Sequence, residues 1–252
     1  MPDLRLITFP PSLDSEFSRF LLTHYGVAHE ERRHTLGYSS LVTLRHGHTV
    51  RFPLVYGATL RLNTVEKIVE HFDARCAPER RLLDGAGFGA DWKLFHGTLG
   101  GATTVFAYYH LLPERSVMVG PLSAGTPARE AAAVRRAYPA FATALRLLLR
   151  LTDARERAAR LTIRSVLDDL DRRLADGRPY LTGDRFTLAD MAFAVAAAPV
   201  VWPGEYGGAV PDLADTPPPL RALIDESRQR PSGRHALSVF RTRRVAQPAS
   251  RT

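Results

Sequence analysis

The sequence predicts an α+β chain in which a small mixed α/β unit precedes an all-helical remainder. Short β-rich runs alternate with helical periodicity through the first 76 residues, a polar, glycine-bearing stretch follows at 77–89, and amphipathic helical periodicity fills residues 90–244. The expected division is therefore a first domain at 1–76, a linker at 77–89, a helical domain at 90–244 and a disordered tail at 245–252.

Residues 3–9 form a β-rich run closed by Pro10 and Pro11, which reads as a strand ending in a turn. Phe17, Phe20, Leu21 and His24 then share one helical face, and Gly26 stops that helix. Residues 27–34 offer a second strand. Val50–Tyr56 and Thr59–Leu62 make a hairpin-like pair around Gly57. A further helix begins at Asn63, with Asn63 and Glu66 as a capping box and Val65, Ile68, Val69 and Phe72 on its apolar face.

Beyond the linker, residues 91–112 form a helix ending before Pro113. Residues 127–151 read as one helix with Ala137, Phe141, Ala144, Leu145, Leu148 and Leu151 in register. Residues 154–175 align Ile163, Val166, Leu167, Leu170 and Leu174, and Gly177 and Pro179 end that helix. Another helix starts at Thr187, and short ones follow near 217–229 and 233–243.

Composition narrows the function classes. The 252 residues are 45% hydrophobic and 24% charged, the balance of a soluble globular protein. The net charge of +8 carries no nucleic-acid signature, because the arginines are interspersed with Asp and Glu and no basic stripe alternates with aromatics. Lys67 and Lys93 are the only lysines, a bias that reflects GC-rich coding. A single cysteine, Cys76, excludes an internal disulfide and any multi-cysteine metal site. No apolar run approaches the roughly 20 residues needed to span a bilayer, and the first residues lack a signal-peptide pattern. The expectation is a cytoplasmic protein with neither a nucleic-acid nor a membrane partner. His46 and His48 could pair on a metal, but no third ligand is near in sequence and a polar hairpin tip is the simpler reading, so no metal is expected. Gly85, Gly87 and Gly89 lack a preceding strand and a lysine, and so read as linker and not as a phosphate loop.

The most specific segment is Tyr180–Asp190 (YLTGDRFTLAD) running into Met191-Ala-Phe-Ala. It is a complete helix start: Thr187 caps, Asp190 reaches back to the Thr187 amide, and Phe186 and Met191 can staple across the cap. The run resembles the start of the buried helix in the C-terminal domain of glutathione transferases. Phe52-Pro53-Leu54-Val55, Leu60–Leu62 and the Val65–Phe72 helix look like that family's strand–strand–helix unit, and Tyr108–Pro113, Ala198-Pro199 and Pro231–Arg241 look like a bacterial branch. The resemblance covers residues 3–243. It implies a thioredoxin-like N-terminal domain that binds a thiol, an all-helical C-terminal domain that binds substrate, a cis peptide before Pro53, and a homodimer.

The resemblance also implies a site. A thiol cofactor, glutathione or another low-molecular-weight thiol, lies over the start of the first helix, where a hydroxyl and the helix N-terminus stabilise its thiolate. Anchoring on Arg19 places Thr8 where some classes carry Tyr, and Ser12 and Ser15 where others carry Ser-x-x-Cys or Cys-x-x-Cys. Ser12 is thus the catalytic candidate, with a plain N-cap as the alternative; Ser15 reads as structural. The Phe52 backbone and Pro53 orient the thiol. The pair that grips its γ-glutamyl end is Thr64-Val65, or Asn63-Thr64 one residue earlier; in the first alignment Val65 occupies the usual serine position and cannot hydrogen-bond. The electrophile pocket is expected against the fourth helix, with Trp92, His96 and Tyr108 as lining residues and Tyr109 and His110 nearby. Cys76 falls away from this site.

Three functions follow. The first is a transferase-type enzyme holding a thiol against a small hydrophobic electrophile for conjugation, thiol-assisted isomerisation or thiolysis. The second is a thiol-independent tailoring enzyme of a biosynthetic pathway, an isomerase or cyclase. The third is a non-catalytic binding module.

Overall fold

The computed structural model describes residues 3–83 and 87–244. The expected tail at 245–252 lies outside the described residues, as does the middle of the expected linker. The chain opens with β1 (Arg5–Thr8), α1 (Leu13–His24), β2 (Glu30–Arg33), α2 (Leu36–Gly47), β3 (Leu54–Tyr56), β4 (Arg61–Leu62) and α3 (Val65–Asp73). The sheet order is β2-β1-β3-β4, with β1 parallel to β2 and the other pairs antiparallel. Strand alternation divides its side chains between two faces. Leu6 and Val55 join α1 and α3 in the main core, while Ile7, Leu54 and Tyr56 meet Val42 of α2 on the other side.

Helix α2 is absent from the sequence expectation. Its fully buried residues are Ser39 and Thr43, while Leu41 and Leu44 are exposed, so no apolar face announces it. The buried hydroxyls are satisfied by the carbonyls of Leu36 and Ser40. The N-terminus of α2 is covered from a distance: Glu130, itself buried, accepts from the Thr35 amide at 3.0 Å and pairs with His34 at 2.9 Å. His46 and His48 occupy no hairpin tip. His46 stacks on Tyr56 in the last turn of α2, and His48 is its left-handed C-cap. The strand expected over 50–56 starts only at Leu54. The cap of α3 is Thr64, accepting from the Lys67 amide at 3.2 Å, in place of the expected Asn63–Glu66 box.

Leu82, within the expected linker, is buried and pinned. Its amide donates to Asp73 and its carbonyl accepts from the Leu188 amide. The helices then run α4 (Ala90–Trp92), a π-helical stretch (Lys93–Leu99), α5 (Gly100–Leu111), α6 (Arg115–Ser123), α7 (Ala128–Arg136), α8 (Tyr138–Leu148), α9 (Asp153–Leu174), α10 (Leu188–Val201), α11 (Pro218–Gln229) and α12 (Pro231–Arg243). Two differ from expectation. α6 buries only Met118 and Leu122 and contains Pro121, too little pattern to be read from sequence. The single helix expected over 127–151 is broken at Ala137, because Pro139 has no amide to offer the Arg135 carbonyl and its ring crowds that turn. Leu148, expected in the core, is exposed.

α10 is buried along almost its whole length and packs against α5, α11, α12 and α1. Its capping box forms as the sequence predicts. Asp190, fully buried, accepts from the amides of Thr187 (3.0 Å) and Leu181 (2.8 Å) and bonds His235 Nε2 at 3.0 Å. Replacing Asp190 with Ala strands those buried donors, so a loss of about 3 kcal/mol is expected in urea unfolding, and a loss under about 1 kcal/mol contradicts this role.

Candidate functional site

The start of α1 is held by hydrogen bonds from both sides. Ser12 has extended backbone angles, and its Oγ accepts from the Ser15 amide at 3.4 Å, so it is the N-cap. Ser15 Oγ faces inward and accepts from the Phe9 amide at 3.1 Å. The Tyr206 hydroxyl donates to the Pro11 and Ser12 carbonyls at 3.3 and 3.4 Å. Below them Glu16, fully buried, accepts from Arg19 Nη1 (3.2 Å), Arg244 Nε (3.0 Å) and the amides of Gly207 (3.0 Å) and Gly208 (3.2 Å). Arg19 continues to the Pro10 carbonyl and to Glu31, which also takes the Thr8 hydroxyl at 2.6 Å. Burial works against the charge of Glu31. Arg19 and Arg33, with Thr8, outweigh it and hold the carboxyl down to about 2. Thr8 is spent on this network and does not face the site.

A cavity of about 690 Å³ opens beside this turn, lined by Ser12, Phe52, His96 and Tyr108 among others. An adjoining cavity of about 560 Å³ is lined by Phe52, Pro53, Asn63, Thr64, Glu66 and His96. Asp14, Leu36, Phe52, His96 and Leu148 border both. The Phe52–Pro53 peptide is cis, as the resemblance implies, and the Phe52 backbone makes no hydrogen bond among the described residues. Val65 is buried against the core and lines the cavity between Asn63, Thr64 and Glu66 with an apolar side chain. The oxygen of Asn63 accepts from Lys67 Nζ, and that of Thr64 serves as the cap.

His96 is central. The π-helical stretch Lys93–Leu99 carries it, an irregularity found preferentially at functional positions. Its Nε2 meets Asp14 Oδ1 at 3.0 Å, and Nδ1 lies 3.9 Å from Glu66 Oε1. Burial opposes the charged ring, but the Asp14 hydrogen bond and the two carboxylates prevail and raise its pKa. Trp92 lines neither cavity. It stacks on the His96 ring, centroids 4.2 Å apart and planes 13° from parallel. Tyr108 lines the larger cavity, and burial pushes its phenol well up, so it remains a proton donor. Tyr109 and His110 instead tie α5 to Asp153 and Glu156 of α9. Cys76 stands apart, its thiol pushed up by burial. Sequence reasoning missed Asp14 and Glu66 as partners of His96, Leu36 on the unforeseen α2, and Arg150 and Arg155 on the cavity wall. No group of His, Cys, Asp and Glu suited to a metal occurs among the described residues. No described helix is long and apolar enough to cross a membrane.

Residues 128–226 match the model of the glutathione S-transferase C-terminal domain. That segment is similar to the C-terminal domain of glutathione S-transferases. Solved structures share the whole architecture, a thioredoxin-like domain followed by a helical one. Glutathione transferase F2 of Populus trichocarpa matches with a TM-score of 0.55 at 12% identity, covering 95% of this chain and 99% of that one. A glutathione S-transferase of Methylobacterium radiotolerans, in complex with glutathione sulfonate, matches at 0.52 and 19% identity, covering 99% and 98%. Glutathione S-transferase-I bound with lactoylglutathione matches at 0.51 and 15%, covering 94% and 99%. No curated protein matches the sequence. At these identities the solved structures speak for the glutathione-transferase fold alone.

The raised His96 pKa has a consequence for stability. The contribution of the His96–Asp14 pair is full below the ordinary imidazole pKa and is lost as pH rises through the raised value. The advantage in unfolding midpoint of the natural protein over His96→Gln should therefore shrink over the window that opens as pH rises above the ordinary imidazole value of about 6.5. A difference constant across that window contradicts the assignment.

Proposed function

We propose that this protein is a glutathione-transferase-like enzyme that holds a small thiol against an apolar electrophile. The observation that supports this best is convergence: Ser12, the start of α1 and Phe52, whose backbone is unpaired among the described residues, line the same larger cavity. The Phe52 amide and carbonyl match the peptide groups of a thiol such as glutathione, with Pro53 beside them. Asn63, Thr64 and Glu66 offer polar atoms to its amino-acid end, and the sulfur falls at Ser12. The Ser12 hydroxyl has no acceptor among the described residues, so it can donate to a thiolate. The positive end of the α1 dipole adds to that stabilisation. Asp14 in the same turn opposes an anion, and its pairing with His96 offsets the opposition.

The electrophile would occupy the larger cavity against Phe52 and Tyr108, with Tyr108 as a proton donor to an oxygen that gains charge. Conjugation, isomerisation and thiolysis share these first steps. Val65, buried where the family's serine hydroxyl stands, favours the second reading: a thiol-independent tailoring enzyme using Tyr108 and His96 in the same cavity. Assembly as a homodimer belongs to the first reading. The exposed Leu41, Leu44 and Val50 supply apolar surface for it.

Steady-state conjugation of glutathione to 1-chloro-2,4-dinitrobenzene tests the role of Ser12. Ser12→Ala should lower kcat/KM at least about tenfold, or about 1.4 kcal/mol of transition-state stabilisation. Ser12→Asn keeps a helix cap but removes the hydroxyl, and should lose activity equally with little loss of stability. Full activity in Ser12→Asn would sink the assigned role. Glutathione binding without turnover would favour a binding module.

A further inference from the structure

The turn between α8 and α9 holds an arginine where the backbone favours glycine. The Arg150 amide bonds the Leu147 carbonyl at 3.1 Å and the Leu151 amide bonds the Arg146 carbonyl at 2.9 Å. These paired bonds close a helix with the residue between in the left-handed region. Arg150 has φ of 51°, and buried Leu151 fastens the turn. The same pair of bonds ends α1, through Gly26 and Val27, and there the left-handed residue is glycine with φ of 68°. A side chain kept in that conformation against its steric cost points to a use for the side chain.

Arg150 lines the larger cavity together with Arg155, from the first turn of α9. Neither guanidinium has a hydrogen-bond or ion-pair partner among the described residues, whereas Arg160, Arg164, Arg172 and Arg173 of the same helix are each paired with a carboxylate. The charged groups around this cavity are Asp14, His96, Arg150 and Arg155. Asp14 is taken up by His96, so the two arginines leave the cavity cationic. The rest of its lining is largely apolar, including Phe52, Val105, Leu145 and Val195.

We propose that Arg150 and Arg155 bind the carboxylate of an apolar carboxylic acid, which is the electrophile of this enzyme. The inference rests on the reading of this cavity as the electrophile site. A carboxylate accepts paired N–H bonds from a guanidinium fork and relieves the repulsion between two like charges. The apolar body then lies along the wall toward Tyr108. The carboxylates of the thiol itself are the other anions at hand. Neither arginine borders the adjoining cavity of Pro53, Asn63 and Thr64, so the electrophile is the better fit.

Calorimetric binding of trans-cinnamate and its neutral isostere trans-cinnamamide to the full chain, without thiol, tests this. The natural protein should bind the acid at least tenfold more tightly than the amide. Arg150→Gln with Arg155→Gln should bring the two within twofold while leaving glutathione affinity unchanged. Arg150→Gly, which suits the turn, should lose most of the preference yet unfold at a higher temperature. Failure of the natural protein to bind cinnamate, equal binding of acid and amide, or a preference surviving in the double variant would overturn the proposal. Glutathione affinity lost in the double variant would overturn it too, by assigning the arginines to the thiol. Absence of thiol conjugation with the acid preference intact would instead count against the transferase reading alone.

Discussion

The Glu16 carboxylate organises the site from beneath. It is fully buried, one turn into α1, and it gathers two arginines and two backbone amides. Those partners come from α1, from the loop at 203–208 and from the end of α12, so one charge ties the first domain to the second. Removing one side of such a group leaves the others buried without compensation, at a cost of about 3–5 kcal/mol. The loop can approach only because residues 207 and 208 lack side chains. A Cβ at Gly208 would stand 2.2 Å from the Pro10 carbonyl oxygen, and one at Gly207 would stand 2.9 Å from Glu16. Tyr206 then reaches the carbonyls of Pro11 and Ser12 from the same loop. The turn that presents Ser12 is therefore set by tertiary contacts at least as much as by its own cap.

The two cavities divide the labour of the fold. One is built from the start of α2, the segment before β3 and the start of α3, with His96 the polar group that the helical part adds to it. The other is walled by α5, α8, α9 and α10 and is mainly apolar. His96 and Asp14 stand where they meet, so the electrostatics of each reaches the other. An acidic residue in the first turn of α1 would ordinarily work against an anion there. Here it is bound by an imidazole whose charged form it favours, and the pair is closer to neutral than its sequence suggests.

Much of this was legible because it is local. The cap at Thr187–Asp190, the apolar face of α9 and the strand at 3–9 are each written in consecutive residues. The Ser12 cap was equally readable, since only near neighbours form it. What escaped depends on partners far along the chain. α2 buries two hydroxyl residues and has no apolar stripe, and its N-terminus is covered by Glu130 from nearly a hundred positions away. The break at Ala137 follows from Pro139, a signal that was present but outweighed by the strong periodicity around it. His96 was named for its chemistry. Its neighbours Asp14 and Glu66 could not be, because α1, α3 and the π-helical stretch meet only in the folded chain.

The central claim is that the start of α1 lowers the pKa of a thiol bound above it. Ultraviolet titration of glutathione in complex with the protein measures that directly, through the absorbance of the thiolate. The account predicts a thiol pKa at least about one unit below that of free glutathione, equivalent to about 1.4 kcal/mol in favour of the anion. A bound thiol that titrates with its free value, or glutathione that does not bind at all, would contradict it.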